Sequence, residues 1–201
     1  VERITGVMKA HGANPRIQTL GCTTALNVAS HSYVSKMEMV DAGACRAIVA
    51  SMICFAFKKD LLEAALPALG IMLPNSERSL GDFMAAGGID AVLGAMQFHF
   101  SSTIHLEGAR ILSVLAKSPT CSYLIGAGGG VPILLRALAQ NGDDAKLQEW
   151  CCEALCSLSA NPKNAEKFLE SGGISRVLKS MQLHLEVASV QANVCALQRR
   201  L

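Results

Sequence analysis

Apolar residues along this chain recur every three or four positions, in stretches broken by short polar or glycine-bearing segments. That period places one oily stripe along a helix, because residues three and four apart share a helix face. The stretch from Leu147 shows it well: Leu147, Trp150, Cys151, Ala154, Leu155 and Leu158 lie on one side, with Gln148, Glu149, Glu153 and Ser157 between them. Related long segments begin at Ile17, Leu61, Ile104 and Val190. Shorter ones read VERITGVMK, CRAIVASMI, IDAVLGAMQ, VPILLRALA and ISRVLKSMQ. A third kind, such as ERSLGDFMAAG and NAEKFLESG, completes each unit. The pattern predicts three helices per unit, one short, one middle and one long, and no strands.

Set against itself, the chain repeats. Small-residue joints fall at Asp41-Ala-Gly-Ala44, Ala85-Ala-Gly-Gly88, Ala127-Gly-Gly-Gly130 and Glu170-Ser-Gly-Gly173, so Gly43, Gly87, Gly129 and Gly172 stand 44, 42 and 43 residues apart. A glycine at each joint lets the backbone turn left-handed, ending one helix and aiming the next. One apolar column then reads Met8, Met52, Met96, Leu138 and Met181. Small residues midway along the long helices (Gly21, Ala65, Gly108, Cys151) predict close helix approach. No single unit can hide its stripe, so neighbours must stack. Two departures stand out. Pro67 falls inside the second long segment, where a kink is expected; the first and last long segments run one residue out of step, through Thr23-Thr24 and near Ala196-Leu197.

The "GGI" joint, the xxVLxxM that follows it and the stretch LQEWCCEALCSLSANP resemble the armadillo repeat, and the likeness spans essentially the whole chain. HEAT repeats share the period but usually lack the glycine joint. The resemblance implies an all-α, right-handed α-solenoid of about four to five three-helix repeats. One array over 1–201 is expected, with a partial repeat at 1–43, repeats at 44–87, 88–129 and 130–172, and a partial repeat at 173–201. The start at Val1 and the stop within a helical pattern at Leu201 suggest an excerpt of a longer chain.

In armadillo proteins the long helices line a concave groove that receives extended peptides or partner helices. Members that serve nuclear import carry a Trp and an Asn four residues apart on each such helix. Here those columns read Pro67 with Ile71, Arg110 with Val114, and Glu153 with Ser157, and Trp150 stands in a different column. That ladder is absent, so recognition of nuclear-localisation signals is not expected. The groove candidates are Asn27, Glu63, Arg110, Glu149, Glu153 and Arg199. A second candidate surface is an apolar row at the helix corners, Phe55 and Phe57, Phe98 and Phe100, Leu183 and Leu185. Such residues either pack against the neighbouring corner or dock a protein partner.

Composition narrows the function classes. The chain is 51% hydrophobic but only 4% aromatic, as close helix packing prefers. A net charge of +2, with Lys58-Lys59 and Arg199-Arg200 as its only adjacent basic pairs, argues against a nucleic-acid binder. Most of the eight cysteines sit at apolar helix positions, as small hydrophobes in a reducing, intracellular compartment. The longest apolar stretch, Ala47 to Phe57, is too short to span a bilayer. Gly126-Ala-Gly-Gly-Gly130 lacks the ending of a phosphate loop and coincides with a repeat joint. Cys151, Cys152 and Cys156 lack a fourth zinc ligand. His11, His99 and His184 fall three residues past the Met column and read as caps on the ends of their own helices; His31 and His105 have no evident catalytic partner.

These observations describe a non-enzymatic protein–protein interaction scaffold without cofactor or metal, set in a larger polypeptide or complex. Its expected location is cytoplasmic, with cytoskeleton or cilium as further settings. The alternative is a structural segment of a large cytoskeletal or ciliary assembly. A polar, open groove favours the scaffold; a filled groove with buried corners favours the alternative.

Overall fold

The computed structural model describes residues 2–201, in which fourteen α-helices and no strand are found. They come in a recurring order. The chain opens with α1 (Glu2–Ala10), α2 (Pro15–His31) and α3 (Tyr33–Asp41). Next come α4 (Ala44–Cys54), α5 (Lys59–Met72) and α6 (Glu77–Ala85), then α7 (Gly88–Phe98), α8 (Ser102–Leu115) and α9 (Pro119–Ala127). The remainder forms α10 (Gly130–Gln140), α11 (Ala145–Leu158), α12 (Pro162–Glu170), α13 (Gly173–Leu183) and α14 (Ala188–Gln198). Two compact units result, Val1–His99 and Phe100–Leu201.

Helices start here in two ways, and the sequence dictates which. Most long helices open on a polar cap: Asn14 accepts from the N–H groups of Arg16 and Ile17, Ser101 from that of Ile104, and Asp144 from those of Lys146 and Leu147. Each cap satisfies donors that the first helical turn leaves unpaired. The helices after the joints have no such cap. They open directly on a left-handed glycine, with φ of 75° at Gly43 and 67° at Gly172, and the preceding helix closes on the same residue. Turn and helix start are thus one feature, which is why the joints are so short.

At two joints the second glycine, Gly88 and Gly173, has a different duty. A Cβ on Gly88 would lie 2.4 Å from the Phe83 ring, and one on Gly173 would lie 2.4 Å from the Phe168 ring. Both rings are fully buried. Each covers its joint from the preceding helix, and burying such a ring is worth about 2–3 kcal/mol.

In the first unit α2 packs along α5 and against α3, while α4 contacts α5, α6 and α7. Its core holds Met39, Ile48, Met52, Leu61, Leu66 and Leu69, all fully buried. Gly21 admits Met8, whose Cγ would stand 2.6 Å from an added Cβ. Thr23 and Thr24 turn their hydroxyls back to the carbonyls of Thr19 and Leu20, and α2 runs as one helix through this step. α5 also runs unbroken past Pro67 as one helix of 14 residues.

In the second unit α11 lies between α8 and α14, and α10 packs on α9, α11, α12 and α13. Of the stripe read from the sequence, Leu147, Cys151, Ala154, Leu155 and Leu158 of α11 are fully buried, whereas Trp150 is only half-buried; Cys152 joins the core beside them.

Candidate functional site

Three long helices of the second unit, α8, α11 and α14, present their polar sides at a register of 43 residues. That step aligns Glu107 with Trp150 and Asn193, and Arg110 with Glu153. The pairs that tie the face together follow from this alignment. Lys117, just beyond α8, reaches Glu153 of α11 at 3.0 Å. Asn193 of α14 donates its amide to the Glu149 carbonyl at 3.4 Å. Within α8, Arg110 bonds Glu107. Within α11, Lys146 pairs with Glu149 at 2.9 Å and stands 4.9 Å from the centre of the Trp150 ring.

Exposure separates the carboxylates from the lysines, while Arg110 lies nearly as deep as its partner Glu107. The side chains of Glu107, Glu149 and Glu153 are 17%, 20% and 25% exposed, against 60% for Lys146 and 63% for Lys117. The carboxylates therefore sit down on the face, and the lysines lean in over them from water. Such lysine pairs hold weakly, because exposed ion pairs contribute about 0–1 kcal/mol. A cation arriving from elsewhere could replace them at little cost.

The sequence candidates divide between the units. Arg110, Glu149 and Glu153 stand together on the face just described, with Arg199 exposed immediately after α14. Asn27 is exposed on α2, and Glu63 is half-buried on α5 with Lys59 3.6 Å away. Trp150 was missed as a groove residue; the 43-residue register was the signal that could have found it.

The corners contain a hydrogen-bond pattern with no counterpart in the sequence reading. Gln148 donates its amide to the carbonyls of Leu138 and Asn141, Gln191 to those of Met181 and His184, and Gln18 to those of Met8 and His11. One glutamine thus closes the end of the helix before it, satisfying carbonyls that have no partner within that helix. The histidine column acts across repeats. His99 Nε2 donates to the Ala56 carbonyl at 2.8 Å, and His184 Nε2 to the Gly142 carbonyl at 2.7 Å. Capping of their own helices was the expectation. The imidazoles instead project from the corner, and the nearest free carbonyl belongs to the preceding corner.

Of the apolar row, Phe57 and Phe98 meet in the first unit with ring centres 6.0 Å apart, yet remain 79% and 59% exposed. Phe55 is only partly exposed, because the turn that bonds its carbonyl to the Lys58 N–H folds it inward. In the second unit Phe100, Leu183 and Leu185 are exposed.

The cysteines behave as core residues. Cys22, Cys45, Cys121, Cys151, Cys152 and Cys156 are buried, and only Cys54 and Cys195 are exposed. Burial pushes the thiols of Cys22 and Cys152 up to about 12 and that of Cys45 up to about 11, and raises Cys151 well above the ordinary thiol range. A thiol held neutral is neither nucleophile nor metal ligand. Among the described residues no three of His, Cys, Asp or Glu converge as a metal would require.

No protein-family profile matches the chain. Protein aardvark of Dictyostelium discoideum is 29% identical over 130 residues, which is 58% of this chain and 17% of that protein's length. Among solved structures, a computationally designed armadillo repeat protein for modular peptide recognition superposes with a TM-score of 0.78 at 15% identity, covering 99% of this chain and 81% of the other. The chain has the armadillo-repeat fold. A designed armadillo repeat protein in complex with the peptide (KR)4 matches the same 99% of the chain and 80% of its own, with a TM-score of 0.76 at 13% identity. An engineered protein matches with a TM-score of 0.78 at 19% identity, this chain covering 47% of it. Armadillo repeats in general offer a binding surface rather than a catalytic pocket.

Proposed function

We propose that this chain is a protein–protein interaction scaffold whose α8–α11–α14 face binds an extended, basic peptide segment of a partner. The observation that carries this reading is the arrangement around Trp150. A half-buried indole lies beside Glu149 and Glu153, with Glu107 in register on the neighbouring helix, and its face already attracts one ammonium group. An aromatic face flanked by carboxylates favours a lysine or arginine side chain through cation–π attraction and ion pairing together. The side-chain oxygen of Asn193, whose amide nitrogen already donates to the Glu149 carbonyl, is suited to accept from a peptide N–H, since a bound backbone needs partners for its own polar groups. The (KR)4 peptide held by a designed armadillo protein supports the same ligand class.

The chain's work in this reading is binding, not catalysis. A reducing cytoplasmic setting suits a protein with eight unpaired cysteines, six of them buried.

Calorimetric titration with an alternating Lys-Arg octapeptide tests the reading. Saturable binding by the wild type, weakened about tenfold or more in Glu153→Lys, supports it. Equal affinity of the two proteins, or preference for a Glu-rich peptide, would refute it.

A further inference from the structure

The first and last repeats are each open on one side, as the columns of the repeat show. Val7 shares a column with Ser51, Ala95, Ala137 and Ser180. Those four are buried, whereas Val7 is 49% exposed. Thr24 shares one with Ala68, Ile111, Ala154 and Leu197, and it too is exposed where the others are buried. In the last repeat the reverse side is open. Thr5, Val49, Leu93 and Leu135 are buried, but Leu178, next in that column, is 38% exposed. Cys22, Leu66, Ala109 and Cys152 are fully buried, but Cys195 is exposed.

These open sides are the two halves of one interface, which the second unit contains whole. There α13 packs on α10 and α14 on α11. Arg176 donates to the Leu135 carbonyl at 3.0 Å, and Ser180 Oγ lies 3.9 Å from Cys152 Sγ. The pair α1 and α2 matches α13 and α14 at one constant offset, since Gln18 bonds the carbonyls of Met8 and His11 as Gln191 bonds those of Met181 and His184. That offset puts Arg3 in the place of Arg176 and Val7 in that of Ser180, and both Arg3 and Val7 are exposed. The step between α11 and α14 likewise puts Cys195 in the place of Cys152, and that between α10 and α13 puts Leu178 in the place of Leu135.

We infer that a second copy of this chain stacks end to end on the first, its α1–α2 side covering the α13–α14 side. Val7 of one copy then meets Cys195 of the other, and Arg3 reaches the Leu178 carbonyl, as Ser180 and Arg176 do inside the second unit. Register names the occupant. Apolar columns fill to native density only against a surface of the same spacing, and this chain carries that surface itself. Stacking also hides faces that a single repeat cannot hide alone. The contact joins unlike sides, so copies add in series rather than closing as a symmetric pair. None of this rests on the peptide-binding reading.

Sedimentation velocity of the whole chain at rising concentration tests the proposal. Expected is a mean mass that climbs from the 21.2 kDa of one copy to beyond that of two. Val7→Asp and Cys195→Asp each put an unpaired charge into the contact, so each alone should associate about tenfold more weakly or worse. Mixed in equal amounts, the two variants keep one sound pairing of sides and should form dimers and nothing larger. Both positions are exposed, so circular dichroism should be unchanged. In Val7→Cys/Cys54→Ser, mild oxidation should yield a disulfide joining position 7 of one copy to Cys195 of another, identified by peptide mapping. A wild type that stays monomeric, variants that associate as well as it does, a mixture without dimers, or Cys195 joined only to Cys195 would overturn the proposal. Association is read without peptide, so its failure leaves the peptide-binding reading to its own test.

Discussion

Gln148 donates its side-chain amide to the carbonyl of Leu138 at 2.9 Å, closing the end of α10 from the next helix in the chain. A second bond from the same nitrogen reaches the Asn141 carbonyl at 2.8 Å. The Asn141 carbonyl also accepts from the Asp144 N–H at 3.2 Å, whereas the Leu138 carbonyl, in the last turn of α10, has only Gln148. Gln148 itself is 1% exposed, so water cannot take its place. Replacing Gln148 with Leu should therefore cost about 1–3 kcal/mol, the cost of leaving the buried Leu138 carbonyl unpaired. Leu62, ten residues past Met52 as Gln148 is ten past Leu138, shows that leucine fits this register. A lower urea midpoint at constant slope is expected. An unchanged midpoint would show that the carbonyl finds another partner.

A glycine at a joint and one within a helix can be told apart by substitution. Gly173→Ala drives a Cβ to 2.4 Å from the Phe168 ring and should destabilise by about 1–3 kcal/mol. Gly94, within α7, meets nothing within 4 Å. Gly94→Ala should stabilise by about 0.5–1 kcal/mol, since alanine is the better helix former. Trimming the ring with Phe168→Leu should recover part of the Gly173→Ala loss in a double-mutant cycle. Equal effects of the two alanines, or no coupling to Phe168, would contradict the packing described.

Buried thiols make alkaline pH destabilising. Their folded values lie near 11 to 12 against an ordinary 9.0, as at Cys22, Cys45 and Cys152. Below the ordinary value both states hold the proton and stability is complete. Between that value and the folded one, the unfolded chain releases protons that the native chain keeps, so stability falls as pH rises. Each thiol adds a slope of up to about 1.4 kcal/mol per pH unit in that window. Denaturation measured near about pH 7 and about pH 10 should show a smaller drop for Cys22→Ala than for the wild type, by an amount set by that slope. Equal drops would mean that the thiol titrates alike in both states.

Much of this molecule is written in residue types that serve one purpose. Gly43, Gly87, Gly129 and Gly172 were legible because a left-handed turn leaves few alternatives to glycine, and each has a positive φ. The stripe of α11 was legible because Leu147, Cys151, Leu155 and Leu158 keep helical spacing and all are buried. The corner glutamines were not. A glutamine near the start of a helix reads as a solvated residue, and the column is interrupted by Leu62, so Gln18, Gln148 and Gln191 carry no visible pattern. The bonds of His99 and His184 escaped for another reason: their acceptors, Ala56 and Gly142, lie 43 and 42 residues earlier, beyond any argument confined to one helix. At the candidate site the charged residues of α11 were found from their periodicity. Trp150 was placed on the apolar stripe, since an indole at helical spacing reads as core, and only its half-exposed position beside Glu149 and Lys146 shows otherwise.

The most direct measurement exploits the chain's single tryptophan. Trp150 stands at the centre of the proposed face, so its fluorescence reports occupancy there and nowhere else. Titration with an alternating Lys-Arg octapeptide should shift the emission along a saturable curve, and Glu149→Gln/Glu153→Gln should move that curve to about tenfold higher concentration or beyond. An emission spectrum that stays constant while the peptide binds would place the ligand elsewhere and contradict the account.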